Sequence, residues 1–211
     1  MRRFVIVLAI SISIMAAANA GITNGSFESP TYGSWGAWQQ ASGWNYMDVS
    51  GWGGGYYGGG PAHPSYPAAW QPQDGSQYIA IRSYAVWQTT DVQFEAGKTY
   101  TIGVWSVQEN PRSYNLGINI AGSTDPLVLA NGGDAITGIA VEPSTSSMGY
   151  FELSYTATAA DAGKWVQVVF YENPNINSGL WLDNATLTVI PEPATMISLL
   201  VGSIFLARRK K

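Results

Sequence analysis

Apolar and polar residues alternate in short runs along most of this chain. In Tyr114–Ala121, Leu116, Ile118 and Ile120 alternate with Asn115, Gly117 and Asn119. In Trp165–Tyr171, Val166, Val168 and Phe170 share one parity. Side chains two apart on a strand point to the same face, so each run predicts a strand with one face in a core. The same reading predicts strands at Gln77–Arg82, Ala85–Val92, Lys98–Val107, Ile136–Glu142, Tyr150–Ala157 and Leu180–Val189. Glu95-Ala96-Gly97-Lys98 and Asp161-Ala162-Gly163-Lys164 predict tight turns, with glycine free to take positive φ. Short strands separated by Gly, Pro, Asn and Asp, with no helical period between them, predict an all-β, two-sheet sandwich. Residues 50–72, rich in Gly, Pro and aromatics, are too long a connection for an idle turn.

The two ends break this pattern. Arg2-Arg3, an apolar run from Phe4 to Ile14 and the small residues up to Ala18-Asn19-Ala20 have the layout of a secretory signal peptide, predicting a mature chain that begins at Gly21. At the other end Pro191-Glu192-Pro193 precedes an apolar stretch, Ala194 to Ala207, and then Arg208-Arg209-Lys210-Lys211. Fourteen helical residues would cover about 21 Å, short of a ~30 Å hydrocarbon core. The basic tail would stay on the cytoplasmic side, with the body across the membrane. The chain therefore divides into 1–20 as signal, 21–189 as a sandwich domain and 190–211 as a short hydrophobic sorting helix with its flanks.

Composition sharpens this division. The whole chain has a formal charge of −4, but six of its ten cations lie in the terminal segments. Between residues 21 and 190 four basic residues (Arg82, Lys98, Arg112, Lys164) face thirteen acids, a formal charge of −9. Such a body repels polyanions, which argues against nucleic acid as a partner. The absence of cysteine excludes disulfides, thiolate metal sites and thiol catalysis.

The C-terminal arrangement resembles the PEP-CTERM sorting signal: Pro191, Glu192 and Pro193, a short hydrophobic helix, and a basic cluster including Arg208 and Arg209. The resemblance implies export in a Gram-negative-type bacterium, with transient insertion in the inner membrane. It also implies processing by an exosortase and delivery to the envelope or extracellular matrix. The body carries a second likeness. Ile22-Thr-Asn-Gly-Ser-Phe-Glu28, Asp74-Gly75-Ser76-Gln77-Tyr78-Ile79-Ala80-Ile81, Ala96-Gly97-Lys98-Thr99-Tyr100 and Leu182-Asp183-Asn184-Ala185-Thr186-Leu187 are similar to segments of galactose-binding-like jelly rolls of carbohydrate-binding modules. That likeness implies a jelly-roll sandwich whose first and last strands pair. It also implies a structural calcium held at Glu28 and Asp183, although Asn184 and Ala185 replace an acid and a valine common in the final motif.

Calcium takes about 6–8 oxygen ligands, so carbonyls or waters would have to complete such a site. The alternative is that both carboxylates hydrogen-bond strand ends. Trp52, Tyr56, Tyr57 and Trp70 crowd the long connection, where exposed rings could stack on a sugar of an extracellular polysaccharide. Trp44, Trp87 and Trp105 sit in strand contexts and read as core. His63, the single histidine, has no G-x-S-x-G elbow to accompany it. The expectation is an exported, non-enzymatic carbohydrate-binding module, with a structural or adhesive matrix protein as the alternative.

Overall fold

The computed structural model describes residues 21–31, 40–48, 56–61, 68–82, 84–109, 116–129, 136–172 and 179–191. The strands are β1 (Asn45–Asp48), β2 (Tyr56–Pro61), β3 (Gln77–Arg82), β4 (Tyr84–Gln93), β5 (Thr99–Gln108), β6 (Leu116–Ser123), β7 (Thr137–Val141), β8 (Gly149–Thr156), β9 (Trp165–Glu172) and β10 (Leu180–Ile190). The single helical element among the described residues is a 3₁₀ turn, Ala68–Trp70. One sheet has the order β1-β4-β9-β6-β7 and the other β2-β3-β10-β5-β8. Every neighbouring pair is antiparallel. This is the expected all-β jelly-roll sandwich.

Alternation produces the layers. Ile118 and Ile120 of β6 and Val166, Val168 and Phe170 of β9 enter the space between the sheets. They meet Ile79 and Ile81 of β3, Tyr100, Ile102 and Val104 of β5, and Leu180 and Leu182 of β10. Without disulfides, this core carries the fold; each fully buried aliphatic or aromatic side chain contributes about 1.5–3 kcal/mol. Residues of opposite parity make smaller clusters on the outer faces. Tyr78, Ala80, Val107 and Trp181 lie outside the second sheet, and Ala85, Ala121 and Val169 outside the first.

The two sequence-predicted turns form with Gly97 and Gly163 both at φ +82°. In each, the closing lysine N–H returns to the first acid's carbonyl: Lys98 to Glu95 at 3.2 Å and Lys164 to Asp161 at 3.0 Å. The expected pairing of first and last segments reduces to one bond, Ala185 N–H to Gly25 O at 2.8 Å, because residues 21–31 form turns and not a strand.

Candidate functional site

Glu28 and Asp183 come from opposite ends of the body and grip the same stretch of chain. Glu28 Oε1 accepts the N–H groups of Ser76 (2.8 Å) and Gln77 (2.6 Å), and its Oε2 accepts Ser76 Oγ–H (3.1 Å). Asp183 Oδ2 accepts the N–H groups of Gln73 (2.5 Å) and Asp74 (2.9 Å), and its Oδ1 accepts that of Asn184 (2.7 Å). Between them Gly75 takes φ +78°, and a Cβ there would lie 2.4 Å from Glu28 Cδ. Asp183 is wholly buried. Burial pushes its carboxyl up to about 6 against the pull of these three N–H donors, and the charge of Asp74 adds to the rise.

This oxygen-only pair suits a hard cation in kind, and one oxygen of each carboxylate accepts a single hydrogen bond. Among the described residues no group of three or more His, Cys, Asp or Glu gathers around a common point. What the pair visibly does is lead the chain into β3.

The predicted sugar-stacking residues are scattered. Trp70 is buried, not displayed: its indole N–H donates to Thr145 O at 2.9 Å, and it packs with Tyr78, Met148 and Trp181. Tyr56 and Tyr57 open β2 and pair with Arg82 and Ile81. Trp52 and His63 lie outside the described residues, as do the signal segment and Glu192, Pro193, Arg208 and Arg209; Pro191 is the last described residue. Trp44 is core, as expected. Trp87 and Trp105 are only partly buried and pack on the outer faces instead. Trp105 stands 5.6 Å from the half-exposed Tyr150, with the two rings tilted at 53°.

A different set of polar residues occupies the space between the sheets. On β5, Ser106 and Gln108 continue the inward parity of Tyr100, Ile102 and Val104, and on β9 Glu172 continues that of Val166, Val168 and Phe170. All three are buried: Ser106 and Glu172 are 0% exposed and Gln108 is 2% exposed. The pairings Leu180↔Gln108, Leu180↔Ile81, Ala85↔Tyr171 and Leu116↔Glu172 put these strand ends at one end of the sandwich. Contacts between β3 and both β4 and β9, and between β8 and both β6 and β7, place the central strands β5 and β10 over β9 and β6.

Gln108 donates its amide N–H to Pro143 O, which fixes the amide orientation, so that its Oε1 is left as a buried acceptor with no hydrogen-bond partner. Ser106 Oγ is likewise buried and unpartnered. A buried polar atom left without a partner costs about 1–3 kcal/mol. A buried carboxyl and two unpartnered polar atoms at the same end of the sandwich are groups of the kind that bind a polar group and move a proton.

Fold and site together define a jelly-roll sandwich with a polar centre buried at one end. The HpiC1-like family model, described as HpiC1 cyclase, matches residues 18–188, and the chain belongs to that family. No curated protein matches by sequence. Among solved structures, a cyclase from Fischerella sp. TAU superposes with a TM-score of 0.67 at 15% identity, covering 82% of this chain and 97% of that one. The Stig cyclase Fisc from Fischerella sp. TAU, in complex with (3Z)-3-(1-methyl-2-pyrrolidinylidene)-3H-indole, gives 0.64 at 16% identity, covering 82% and 98%. A structure described as CBM4 gives 0.50 at 20% identity, covering 81% and 100%. The carbohydrate-binding-module likeness thus extends to the fold.

Family membership overturns the expectation of a non-enzymatic body. That expectation rested on the missing acid pair, nucleophile elbow and partnered histidine, signals of hydrolases that ring closure does not need. Sequence reading does not single out the buried polar residues Gln108 and Glu172. Both lie one position beyond the predicted strand ends, Val107 and Tyr171, although the parity already in hand turns each of them inward.

Proposed function

We propose that this chain is a cyclase that closes a ring in a small molecule at the polar inner end of the sandwich, with Glu172 as the proton-transfer group. The observation that carries this reading is a fully buried carboxyl on an inner face that is otherwise apolar along β9. Acid-catalysed ring closure is an isomerisation. The carboxyl gives a proton to one carbon of a π-bond, a second π-bond of the same substrate attacks the resulting cation, and the carboxylate takes a proton from the new ring. No oxidant or second substrate is consumed. Surrounding Val168 and Phe170 exclude water that would otherwise quench the cation. Gln108 Oε1 would accept, and Ser106 Oγ could accept or donate, a hydrogen bond that orients the substrate.

Small indole compounds are the starting ligands to test, since a Fischerella cyclase structure holds 4-(1H-indol-3-yl)butan-2-one. Calorimetric titration with that ketone should show saturable binding to the wild type, weakened at least tenfold in Gln108→Leu and unchanged in Trp105→Ala. Equal binding by all three proteins would remove the inner site.

A second reading is favoured by the outer Trp105–Tyr150 pair and by the CBM4-like fold: the same chain binds a saccharide of the extracellular matrix on that face. Oligosaccharide binding lost in Trp105→Ala and kept in Gln108→Leu would establish it. Calcium, when bound, would be held through Glu28 Oε2 and Asp183 Oδ1 with main-chain carbonyls or waters, fixing the entry to β3. We place the working protein outside the cytoplasm, exported through the 1–20 segment and presented to an exosortase by residues 190–211.

A further inference from the structure

The end of the sandwich opposite the polar centre has its own character. Gln93, Thr99, Ser123, Thr156, Trp165 and Ile190 are the strand ends gathered there, through the pairings Gln93↔Trp165, Ser123↔Trp165, Thr99↔Thr156 and Ile190↔Thr99. Both limits of the body reach this end, because a Cβ on Gly21 would lie against Thr90, Asp91 and Val92. Ile190, 51% exposed, and Leu127, 86% exposed in the loop that follows Ser123, lie at this end, and Val128, 56% exposed, stands at its rim, where its carbonyl accepts Gln167 Nε2–H at 2.9 Å on the outer face of the first sheet. Leu127 and Val128 are held out by a tight loop in which Asp125 Oδ1 accepts Leu127 N–H at 2.9 Å, and Ser123 Oγ donates to Asp125 O at 2.7 Å. The two lysines of the body are here too. Each is paired with an acid three residues earlier, Lys98 with Glu95 at 2.6 Å and Lys164 with Asp161 at 3.7 Å, while Asp91 and Asp125 of the same end form no ion pair among the described residues.

Tether length turns this gathering into a geometric requirement. Only residues 191–193 separate Ile190 from the apolar stretch that starts at Ala194. The four Cα–Cα steps from Ile190 to Ala194 span at most about 14 Å. If the apolar stretch enters a bilayer, Ile190 cannot stand farther than that from the membrane surface.

We propose that this end of the sandwich is a membrane-docking surface, with Leu127, Val128 and Ile190 entering the headgroup region of the bilayer that receives residues 194–207. The inference rests on the expectation that this segment is membrane-inserted, and adds the body's orientation to it. Docked this way, the body turns the end bearing Gln108 and Glu172 away from the lipid. Side chains of this kind, placed singly at an interface, contribute through buried apolar area and are otherwise costly to expose.

The chain has no cysteine, so single-cysteine variants accept one environment-sensitive dye each. The full chain is reconstituted in phosphatidylethanolamine–phosphatidylglycerol vesicles with the dye at Leu127→Cys, at Ser147→Cys near the opposite end, or at Ser198→Cys in the apolar segment. Expected are a blue-shifted emission at positions 127 and 198, with quenching at 127 by lipids brominated near the headgroup, and a water-like emission at 147. A water-like emission at 127 with a lipid-like one at 198 overturns the docking surface and leaves the anchor standing. Water-like emission at both removes the anchor, and the docking surface with it.

Discussion

The two ends of this sandwich are built from the same strands and finished in opposite ways. At the end of Gln93 and Trp165, tight glycine turns close the core, and the polar groups near it are matched. Asp161 accepts bonds from Tyr155 Oη–H (2.6 Å), Thr158 N–H (2.9 Å) and Thr158 Oγ–H (2.6 Å). Tyr100 Oη donates to Gln93 O and accepts Glu95 N–H. At the end of Gln108 and Glu172, the inner faces turn polar while still buried, and Ser106 Oγ and Gln108 Oε1 have no partner. One end is satisfied and serves stability; the other leaves buried hydrogen-bonding capacity unused at Ser106 Oγ and Gln108 Oε1.

If that contrast is right, substitutions at the two ends should trade places in their effects. The largest stability loss belongs to the shared core: Phe170→Ala should cost about 3–5 kcal/mol in denaturant unfolding. At the satisfied end, Asp161→Ala should cost about 1–3 kcal/mol by stranding Tyr155 and Thr158. Burial acts to raise the Asp161 carboxyl. The bonds from Thr158 and Tyr155, and the nearby Lys164, outweigh it and hold the group below its ordinary value. Its contribution is therefore present above pH 3.8 and lost as pH falls through the lower folded value. The wild type should lose stability over that acid window, and the Asp161→Ala protein should lose less.

Smaller effects test the carboxylate clamp and the polar end. Glu28→Ala should lower the melting temperature by a few degrees, as two main-chain donors lose their acceptor. If the clamp also holds calcium, the wild type should show a fall of similar size on adding EGTA and the variant none. No EGTA effect on either protein leaves a hydrogen-bonded clamp. Ser106→Ala should be neutral or raise the melting temperature slightly, because it removes an unpartnered buried hydroxyl. A loss of more than about 1 kcal/mol would mean that the hydroxyl is satisfied, and the contrast between the ends would weaken.

The strands that alternate cleanly were legible from sequence to within about two residues, since burial of one face dictates period two. β1 and β2 were not. Tyr56-Tyr57-Gly58-Gly59-Gly60-Pro61 has no alternation, and its extended form is imposed by pairing with β3. The clamp was legible as two carboxylates in recognisable segments, but its job of gripping residues 73–77 depends on contacts more than forty positions apart. Trp70 was misread because density of aromatics in a loop does not say which rings fold back onto a sheet. Glu172 was one residue away from being read: Val166, Val168 and Phe170 set the parity, and only the choice of strand end hid it.

The proposed ring closure depends on the Glu172 carboxyl. The decisive measurement is mass-neutral conversion of alkene-bearing indoles by the full chain and by Glu172→Gln, followed as a product of unchanged mass and altered retention, with melting curves on both proteins. The expected result is turnover by the wild type and a loss of at least 100-fold in the variant, with its melting transition kept, in line with removal of a general acid–base group. Undiminished turnover by Glu172→Gln, or none by the wild type across the panel, would contradict a cyclase centred on this residue.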